Sequence, residues 1–275
     1  MSSPVSSPVP ASSPDVFDPG RRFGGLDRLY GTGTVDRLAL QHVVVAGVGG
    51  VGSWALEALA RSGVGRLTLV DLDHVAESNV NRQVQASSRT LGQAKIEAMS
   101  ARIRDIHPAC AVQPVDDFVS PENVAALMQQ YPGVWIDCTD QVAAKVAMVL
   151  QARAQGVPLL VCGGAGGKTD PLALQAGDLS LATHDALLAR VRQQLRKRHG
   201  WPSALAGSGR SRRRVPRMGV PCLWFGQQTL LPAQWGPGSA AGLSCAGYGS
   251  AVAITATMGL AAANWALQHA LAAAP

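Results

Sequence analysis

Short apolar runs alternate with stretches of helical spacing along the first two thirds of the chain. Five runs rich in β-branched and aliphatic residues predict strands over residues 42–46, 66–70, 111–115, 134–136 and 157–161. Between them, apolar residues recur every three or four positions and predict helices over residues 53–61, 93–106, 120–130 and 142–155. This alternation predicts an α/β fold with a Rossmann-like, doubly wound and mostly parallel sheet.

Two local signals refine these elements. Pro114 removes a backbone donor from the third run, which therefore predicts an edge strand. Ser120 followed by Pro121 predicts the N-cap and first turn of the third helix.

The regular alternation ends near Gly163, and the chain divides into three predicted parts. Residues 1–19 are rich in Ser and Pro and contain no Lys or Arg, so they predict a disordered tail and no signal peptide. Residues 20–170 are the predicted core, and residues 171–275 are a C-terminal extension. With 47% hydrophobic and 15% charged residues, the composition excludes a globally disordered chain and a coiled coil.

Charge is distributed unevenly along the chain. The net charge is +6, yet all 18 acidic residues lie at or before Asp185. A basic amphipathic helix is predicted over residues 183–199, followed by a mobile Gly/Ser/Arg-rich loop over 200–216. The cationic residues of this helix and loop define a basic region over residues 186–217. Such asymmetry suggests a polyanionic partner, nucleic acid or a membrane surface, although a solvated surface run explains the charge alone equally well. The candidate phosphate contacts are Arg190, Arg192, Arg196, Lys197, Arg198, Arg212, Arg213 and Arg214.

The last part of the chain carries no Lys, Arg, Asp or Glu after residue 217. Residues 243–263 are long enough to span a bilayer, but they are mostly small residues interrupted by Gly247 and Gly249. We therefore expect a buried helix or a subunit interface here rather than a membrane span. The five cysteines form no CxxC pair, which predicts neither a disulfide framework nor a zinc site and favours a reducing cytoplasm.

A glycine turn lies directly between the first strand and the first helix. Its glycines are Gly47, Gly49, Gly50 and Gly52, in the pattern GxGxxG. Glycines let the backbone approach a phosphate, and the helix N-terminus adds unpaired N–H donors. Asp71 ends the next strand, where a carboxylate can bind a ribose hydroxyl. The turn predicts a nucleotide site but does not distinguish NAD, FAD and ATP.

A second glycine-rich segment, residues 162–169, nearly matches a P-loop. Cys162 occupies the position of its first required glycine, and Asp170-Pro171 is a poor start for the long helix that must follow. We therefore predict a strand-end loop over Gly163 to Gly167, beside the active site, and leave the role of Lys168 open.

The residues after Asp71 favour a triphosphate. Asn79, Arg82 and Lys95 form a polar and cationic set that a nicotinamide site does not need, whereas an adenylation transition state develops charge on its phosphates. Asp140 ends a later buried strand and is a candidate Mg²⁺ ligand. Each residue alone also has a structural explanation: an ion pair for Arg82, a solvated helix position for Lys95 and a helix cap for Asp140.

These residues resemble the ubiquitin-activating-enzyme-like adenylating superfamily, which shares GxGGxG, Asp-x-Asp, Asn-x-x-Arg-Gln, Lys and Cys-Thr-Asp. The resemblance covers about residues 20–170 and implies an ATP-binding adenylation core. It implies that Asp71 contacts ribose, that Asn79, Arg82 and Lys95 contact ATP phosphates, and that Asp140 serves magnesium. Arg82 and Lys95 are then the expected catalytic residues.

A closer resemblance is to the tRNA-modifying branch of that superfamily, carried by Arg22-Phe23-Gly24-Gly25, Asn81-Arg82-Gln83, Gly163 to Gly167 and Cys245-Ala246-Gly247-Tyr248-Gly249. It implies ATP-dependent cyclisation of threonylcarbamoyladenosine in tRNA through an acyl-adenylate. It also implies a homodimer and, for some members, a cysteine desulfurase system. Cys245 is then a candidate sulfur relay, although a buried structural thiol explains it equally well. Arg22 and Arg28 are candidates for an arginine supplied by a partner subunit.

Three alternatives remain at this stage. The same ATP site could adenylate the C-terminus of a ubiquitin-like sulfur carrier, although many such activators carry paired CxxC motifs that this sequence lacks. A nicotinamide oxidoreductase is disfavoured by the set Asn79, Arg82 and Lys95. An inactive RNA-binding module is disfavoured by the complete set of predicted site residues.

Overall fold

The computed structural model describes residues 17–203, 215–230 and 248–272. Its strands are β1 (His42–Ala46), β2 (Arg66–Val70), β3 (Ala111–Val115), β4 (Val134–Asp137), β5 (Leu159–Cys162), β6 (Leu174–Asp178) and β7 (Pro221–Phe225). Its helices are α1 (Pro19–Phe23), α2 (Gly25–Tyr30), α3 (Thr34–Ala39), α4 (Gly50–Arg61), α5 (Lys95–Ile106), α6 (Val124–Gln130), α7 (Val142–Gln155), α8 (Ala186–His199) and α9 (Val252–Ala272).

The strands form one sheet in the order β3-β2-β1-β4-β5-β7-β6. Every neighbouring pair is parallel except β6 and β7, which are antiparallel. The predicted α/β class and mostly parallel sheet are thus confirmed, and β3 lies at an edge as Pro114 predicts. Strand order reverses between β1 and β4, and such a switch point opens a crevice at the carboxyl ends of the strands.

Helices cover both faces of the sheet. One apolar cluster includes side chains of α4, α5 and α9, and a second includes side chains of α6, α7 and α8. The predicted extension after residue 170 contributes β6 and β7 to the same sheet and places α9 against α4.

The third predicted helix begins later than Ser120. The structure starts α6 at Val124, and Ser120 Oγ instead accepts a hydrogen bond from the N–H of Glu122 at 3.2 Å. The Asn123 side chain accepts from the Ser120 N–H and donates to the Phe118 carbonyl. These bonds make a turn over residues 120–123, so the N-cap prediction at Ser120 is wrong.

The uncharged segment forms a packed helix. Residues 243–247 of the predicted stretch lie outside the described residues, and α9 runs from Val252 to Ala272, with nine of its residues buried. A Cβ atom at Gly259 would lie 2.5 Å from the Val51 carbonyl oxygen, so only glycine permits this close approach of α9 to α4. Among the described residues, no helix combines the length and the hydropathy of a membrane span.

Candidate nucleotide-binding site

A pocket of about 700 Å³ opens at the carboxyl ends of the central strands. The loops that follow β1, β2, β4 and β5 surround it, together with the start of α9. Predicted site residues that line it are Gly47, Gly49, Gly50, Asp71, Asn79, Arg82, Lys95 and Asp140. Predicted site residues up to 93 positions apart in the sequence thus meet in one cavity.

The glycine turn is closely packed against its neighbours. Gly47 has φ +90°, and a Cβ atom there would lie 2.9 Å from the Cys138 carbonyl. Gly52 does not itself line the pocket, and a Cβ atom there would lie 1.8 Å from the Gly47 oxygen. The turn leads directly into α4 at Gly50, so the unpaired N–H groups of that helix border the pocket.

The Asp71 carboxylate holds the glycine turn in place through hydrogen bonds to the backbone. One oxygen accepts the Val48 N–H at 2.6 Å, and the other accepts the Asp73 N–H at 2.8 Å. Burial raises the pKa of Asp71, and the charge of Lys95 partly opposes that rise. Each carboxylate oxygen has a second lone pair, so Asp71 can hold the turn and still accept a ligand hydroxyl.

Asn79, Arg82 and Lys95 form the polar side of the pocket. Lys95 Nζ lies 2.6 Å from Asp73 Oδ2, and the lysine side chain is only 8% exposed. Arg82 Nη1 donates to the Ser78 carbonyl and to Asn81 Oδ1, so these bonds use one nitrogen of the guanidinium group. The Asn79 Oδ1 atom accepts the N–H of Ala76.

Helix α9 completes this side of the site. The Thr255 hydroxyl donates to the Arg82 carbonyl at 3.0 Å, and the Trp54 indole donates to the same oxygen at 3.1 Å. A Cβ atom at Gly50 would lie 2.8 Å from the Thr255 methyl carbon. The Arg82 backbone is therefore held by α4 and α9 together.

Asp140 lies exposed in the pocket, and its Oδ1 accepts the side-chain amide of Gln141 at 3.2 Å. The described part of the chain contains no group of three or more His, Cys, Asp or Glu side chains placed to enclose a metal ion. Asp140 therefore contributes one carboxylate to the pocket and, among the described residues, belongs to no such group of metal-binding side chains.

Sequence reasoning missed a buried ion pair between Asp137 and Lys145, three and five residues from Asp140 in the sequence. Asp137 and Lys145 have no solvent exposure, and Lys145 Nζ lies 3.0 Å from Asp137 Oδ1. Burial raises the pKa of Asp137, while the neighbouring carboxylate, against burial, raises the pKa of Lys145. A lysine within the apolar stretch from Val142 to Val149 is the signal that could have found the pair.

The glycine loop after β5 borders the pocket through Gly163, Ala165 and Gly166, as the sequence predicts. Lys168 is buried, and its Nζ donates to the carbonyls of His184 and Gln227. Burial lowers the pKa of Lys168. Its contacts are with the protein backbone, not with the pocket.

The predicted basic surface divides into two kinds of residue. Arg190, Lys197 and Arg198 are exposed on α8. Arg192 instead donates to the carbonyls of Leu179 and Ala182, which ties α8 to the turn before it.

Arg196 Nε donates to the Pro202 carbonyl. Arg212, Arg213, Arg214 and Cys245 lie outside the described residues. Arg22 donates to the Ile106 carbonyl at 2.6 Å and stacks over Phe17, among residues that do not line the pocket.

Comparison with known proteins gives consistent matches over nearly the whole chain. The family model described as the ThiF family matches residues 25–273. The tRNA threonylcarbamoyladenosine dehydratase of Escherichia coli is 40% identical over 261 residues, covering 92% of this chain and 94% of that protein. The dehydratase of Haemophilus influenzae is 39% identical and covers 89% and 91%. The crystal structure of the E. coli enzyme with ATP matches with a TM-score of 0.79 over 92% of this chain and 95% of that one, at 39% identity.

Proposed function

The chain belongs to the ThiF family, and on that basis we propose that it is an ATP-dependent enzyme that dehydrates and cyclises threonylcarbamoyladenosine in tRNA. The observation that best supports this proposal is that one pocket is lined by the glycine turn, Asp71, Arg82, Lys95 and Asp140. The alignment with the E. coli dehydratase is 40% identical and covers more than nine tenths of both chains, which supports tRNA as the substrate.

ATP is a substrate of the proposed reaction. One oxygen of the threonine carboxylate attacks the α-phosphorus, and the bond to pyrophosphate breaks. The product is an acyl-adenylate, in which a poor leaving group has been replaced by AMP. The neighbouring carbamoyl group then attacks the acyl carbon and closes the ring. It loses one N–H proton, and AMP leaves with the former carboxylate oxygen. Because this second step is intramolecular, positioning provides much of its acceleration.

The residues of the pocket have distinct roles in this proposal. The backbone of the glycine turn and the α4 N-terminus bind phosphate, and Asp71 accepts a ribose hydroxyl. Arg82, Lys95 and Asn79 contact the phosphates, and the two cations stabilise the charge that develops during adenylation. Lys95 exchanges its contact with Asp73 for a phosphate oxygen when ATP binds.

Asp140 fits a magnesium ion that is held by one carboxylate together with phosphate oxygens and waters, the usual arrangement for Mg²⁺ with nucleotides. Its carboxylate is exposed in the pocket, and its only bond within the described residues is to a neighbouring amide. When bound, the ion neutralises phosphate charge.

The exposed cations of α8 are the proposed tRNA contacts, with Arg190, Lys197 and Arg198 in contact with phosphates. Arg212, Arg213 and Arg214 belong to the same proposal on sequence grounds, as does a sulfur relay at Cys245. We further propose a homodimer, with Arg22 or Arg28 as the arginine that a partner supplies, and a cytoplasmic location because the substrate is tRNA. Cooperation with a cysteine desulfurase system remains a proposal of the same kind.

The test measures pyrophosphate release with tRNA that carries threonylcarbamoyladenosine, and mass analysis of the product nucleosides. We expect release only with the modified tRNA, and loss of one water from the nucleoside. Lys95→Ala and Arg82→Ala should each abolish most of the release, whereas Lys197→Ala should retain it at saturating tRNA. Equal activity of Lys95→Ala and the parent would contradict the assignment.

The alternative function, adenylation of a sulfur-carrier protein, is tested in parallel. Exchange of radiolabelled pyrophosphate into ATP that requires a carrier protein and no tRNA would favour it. The exposed cations of α8 favour tRNA instead.

A further inference from the structure

The Asp137–Lys145 pair is costly to bury. Both side chains are 0% exposed, and a buried ion pair contributes little or no net stability compared with apolar residues of similar volume. The mechanism above uses neither residue. Asp137 ends β4, and the Lys145 side chain reaches from α7 to the end of β5, next to residues that line the pocket. This placement therefore calls for another explanation.

The pair joins the two strands at the level where both leave the sheet. Lys145 Nζ donates to the Cys162 carbonyl at 2.7 Å, at the end of β5. Asp137 Oδ1 accepts both the Thr139 N–H at 3.0 Å and the Thr139 hydroxyl at 2.7 Å. Lys145 thus fixes the start of the glycine loop, and Asp137 fixes the residue before Asp140.

A second buried carboxylate holds the glycine loop from its other side. Asp185 Oδ2 accepts the Gly164 N–H at 2.8 Å, and its Oδ1 caps α8 at the Leu188 N–H. The approach is close, because a Cβ atom at Gly163 would lie 2.1 Å from that same Oδ2. Burial raises the pKa of Asp185, and the two N–H groups oppose the rise.

We propose that Asp137, Lys145 and Asp185 are positioning residues that hold Asp140 and the Gly163–Gly164 backbone in place along one wall of the pocket. The inference rests on the proposed function, because that wall faces the reacting groups only if ATP and the carboxylate meet in this pocket. None of the three side chains touches the reacting atoms; each acts through backbone groups of the two loops. A displacement of about 1 Å in such a support can cost roughly 100-fold in rate.

The decisive variant is the double substitution Asp137→Asn with Lys145→Met. The single change Lys145→Met leaves Asp137 buried without its counter-charge, so loss of activity could reflect unfolding. The double variant removes both charges and should recover much of the thermal stability. It does not restore the bond to the Cys162 carbonyl, so the positioning role predicts that kcat stays low.

A control is available in another ion pair, in which the glutamate is buried and the arginine side chain is 39% exposed. Glu57 is 4% exposed and binds Arg102 through two hydrogen bonds of 2.6 and 2.9 Å, among residues that do not line the pocket. The double substitution Glu57→Gln with Arg102→Met should lower the melting temperature without lowering kcat at a temperature where the protein stays folded.

The assay measures pyrophosphate release from the modified tRNA by the full chain, with kcat and KM for ATP determined separately. We expect kcat of the Asp137→Asn/Lys145→Met variant to fall roughly 100-fold, while KM for ATP stays within a few-fold because Asp71, Arg82 and Lys95 are unchanged. Asp185→Asn, which keeps an oxygen to cap α8, should also lower kcat and gives an independent test if the double variant does not fold.

A double variant that regains both stability and the parent kcat overturns the inference and leaves the proposed function intact. A parallel fall of kcat in the Glu57/Arg102 control also overturns it, because the effect would then follow general destabilisation. A parent chain that releases no pyrophosphate with the modified tRNA overturns the proposed function and the inference together.

Discussion

Alanine substitutions at Gly49 and Gly52 separate two roles of the glycine turn. A Cβ atom at Gly52 would lie 1.8 Å from the Gly47 oxygen. This distance must increase to about 3.4 Å before it becomes an ordinary van der Waals contact. The obstacle is backbone rather than a flexible side chain, so the turn itself must open. At Gly49, by contrast, φ is −85° and a Cβ atom meets no described atom within 4 Å.

These geometries predict opposite outcomes for the protein without nucleotide. Gly52→Ala should lower the free energy of unfolding by about 1–3 kcal/mol, the usual cost of overpacking, and should weaken ATP binding as the turn deforms. Gly49→Ala should leave the free energy of unfolding within about 1 kcal/mol of the parent value. Its added methyl group nevertheless occupies the surface that a phosphate must approach. A loss of about 1–3 kcal/mol in ATP binding corresponds to roughly a 5- to 150-fold rise in Kd.

The two quantities come from chemical denaturation without nucleotide and from calorimetric titration with ATP in the absence of tRNA. A Gly49→Ala variant that is as stable as the parent but binds ATP weakly supports direct contact between phosphate and the turn. Unchanged ATP affinity in that variant would refute the assignment of the phosphates to this turn, whatever the behaviour of Gly52→Ala.

Three further predictions concern other parts of the molecule. Phe118 lines the pocket beyond Asp71 with 52% of its surface exposed, so Phe118→Ala should raise KM for ATP several-fold with little change in stability, measured by steady-state kinetics. Burial opposes ionisation of Asp178, but N–H groups including that of Met218 lower its pKa. Asp178→Asn should therefore lower the free energy of unfolding by about 1–3 kcal/mol at pH 7, measured by chemical denaturation. This difference from the parent should shrink as the pH falls below 3.8, the ordinary pKa of the group. The double change Lys197→Ala with Arg198→Ala should reduce the slope of log K for tRNA against log salt by about two, measured by filter binding, and an unchanged slope would remove both residues from the interface.

Much of the fold followed from local patterns because those patterns reflect local physics. The helix predicted over residues 142–155 has the same limits in the structure, since its apolar spacing and its flanking residues agree. The turn at Ser120 was mispredicted because the competing partner, the Asn123 side chain, makes bonds that a capping rule does not consider. The pocket residues Asp71, Arg82 and Lys95 could be predicted because Asp71 ends a predicted strand and Arg82 and Lys95 belong to the cationic set that follows it in the sequence.

The residues that support the site could not be predicted from the sequence in the same way. The contact between Lys145 and the Cys162 carbonyl depends on β4 and β5 being neighbours, and strand order is a property of the whole sheet. Arg192 shows a related limit: its charge predicts a phosphate contact, and only the structure shows that its Nη1 atom also donates to two carbonyls of the turn before α8. Charge patterns identify a basic segment, whereas only tertiary structure shows which side chains are free to bind.

The bond from Thr255 to the Arg82 carbonyl spans 173 positions in the sequence. During synthesis on the ribosome, the glycine turn and Arg82 emerge long before α9 does, so the nucleotide site of the growing chain stays incomplete for most of its translation. Competence to bind nucleotide should arrive late and abruptly, when α9 docks. A nascent chain stalled before that helix emerges should therefore fail to retain ATP, even though every charged residue of the pocket has already been made.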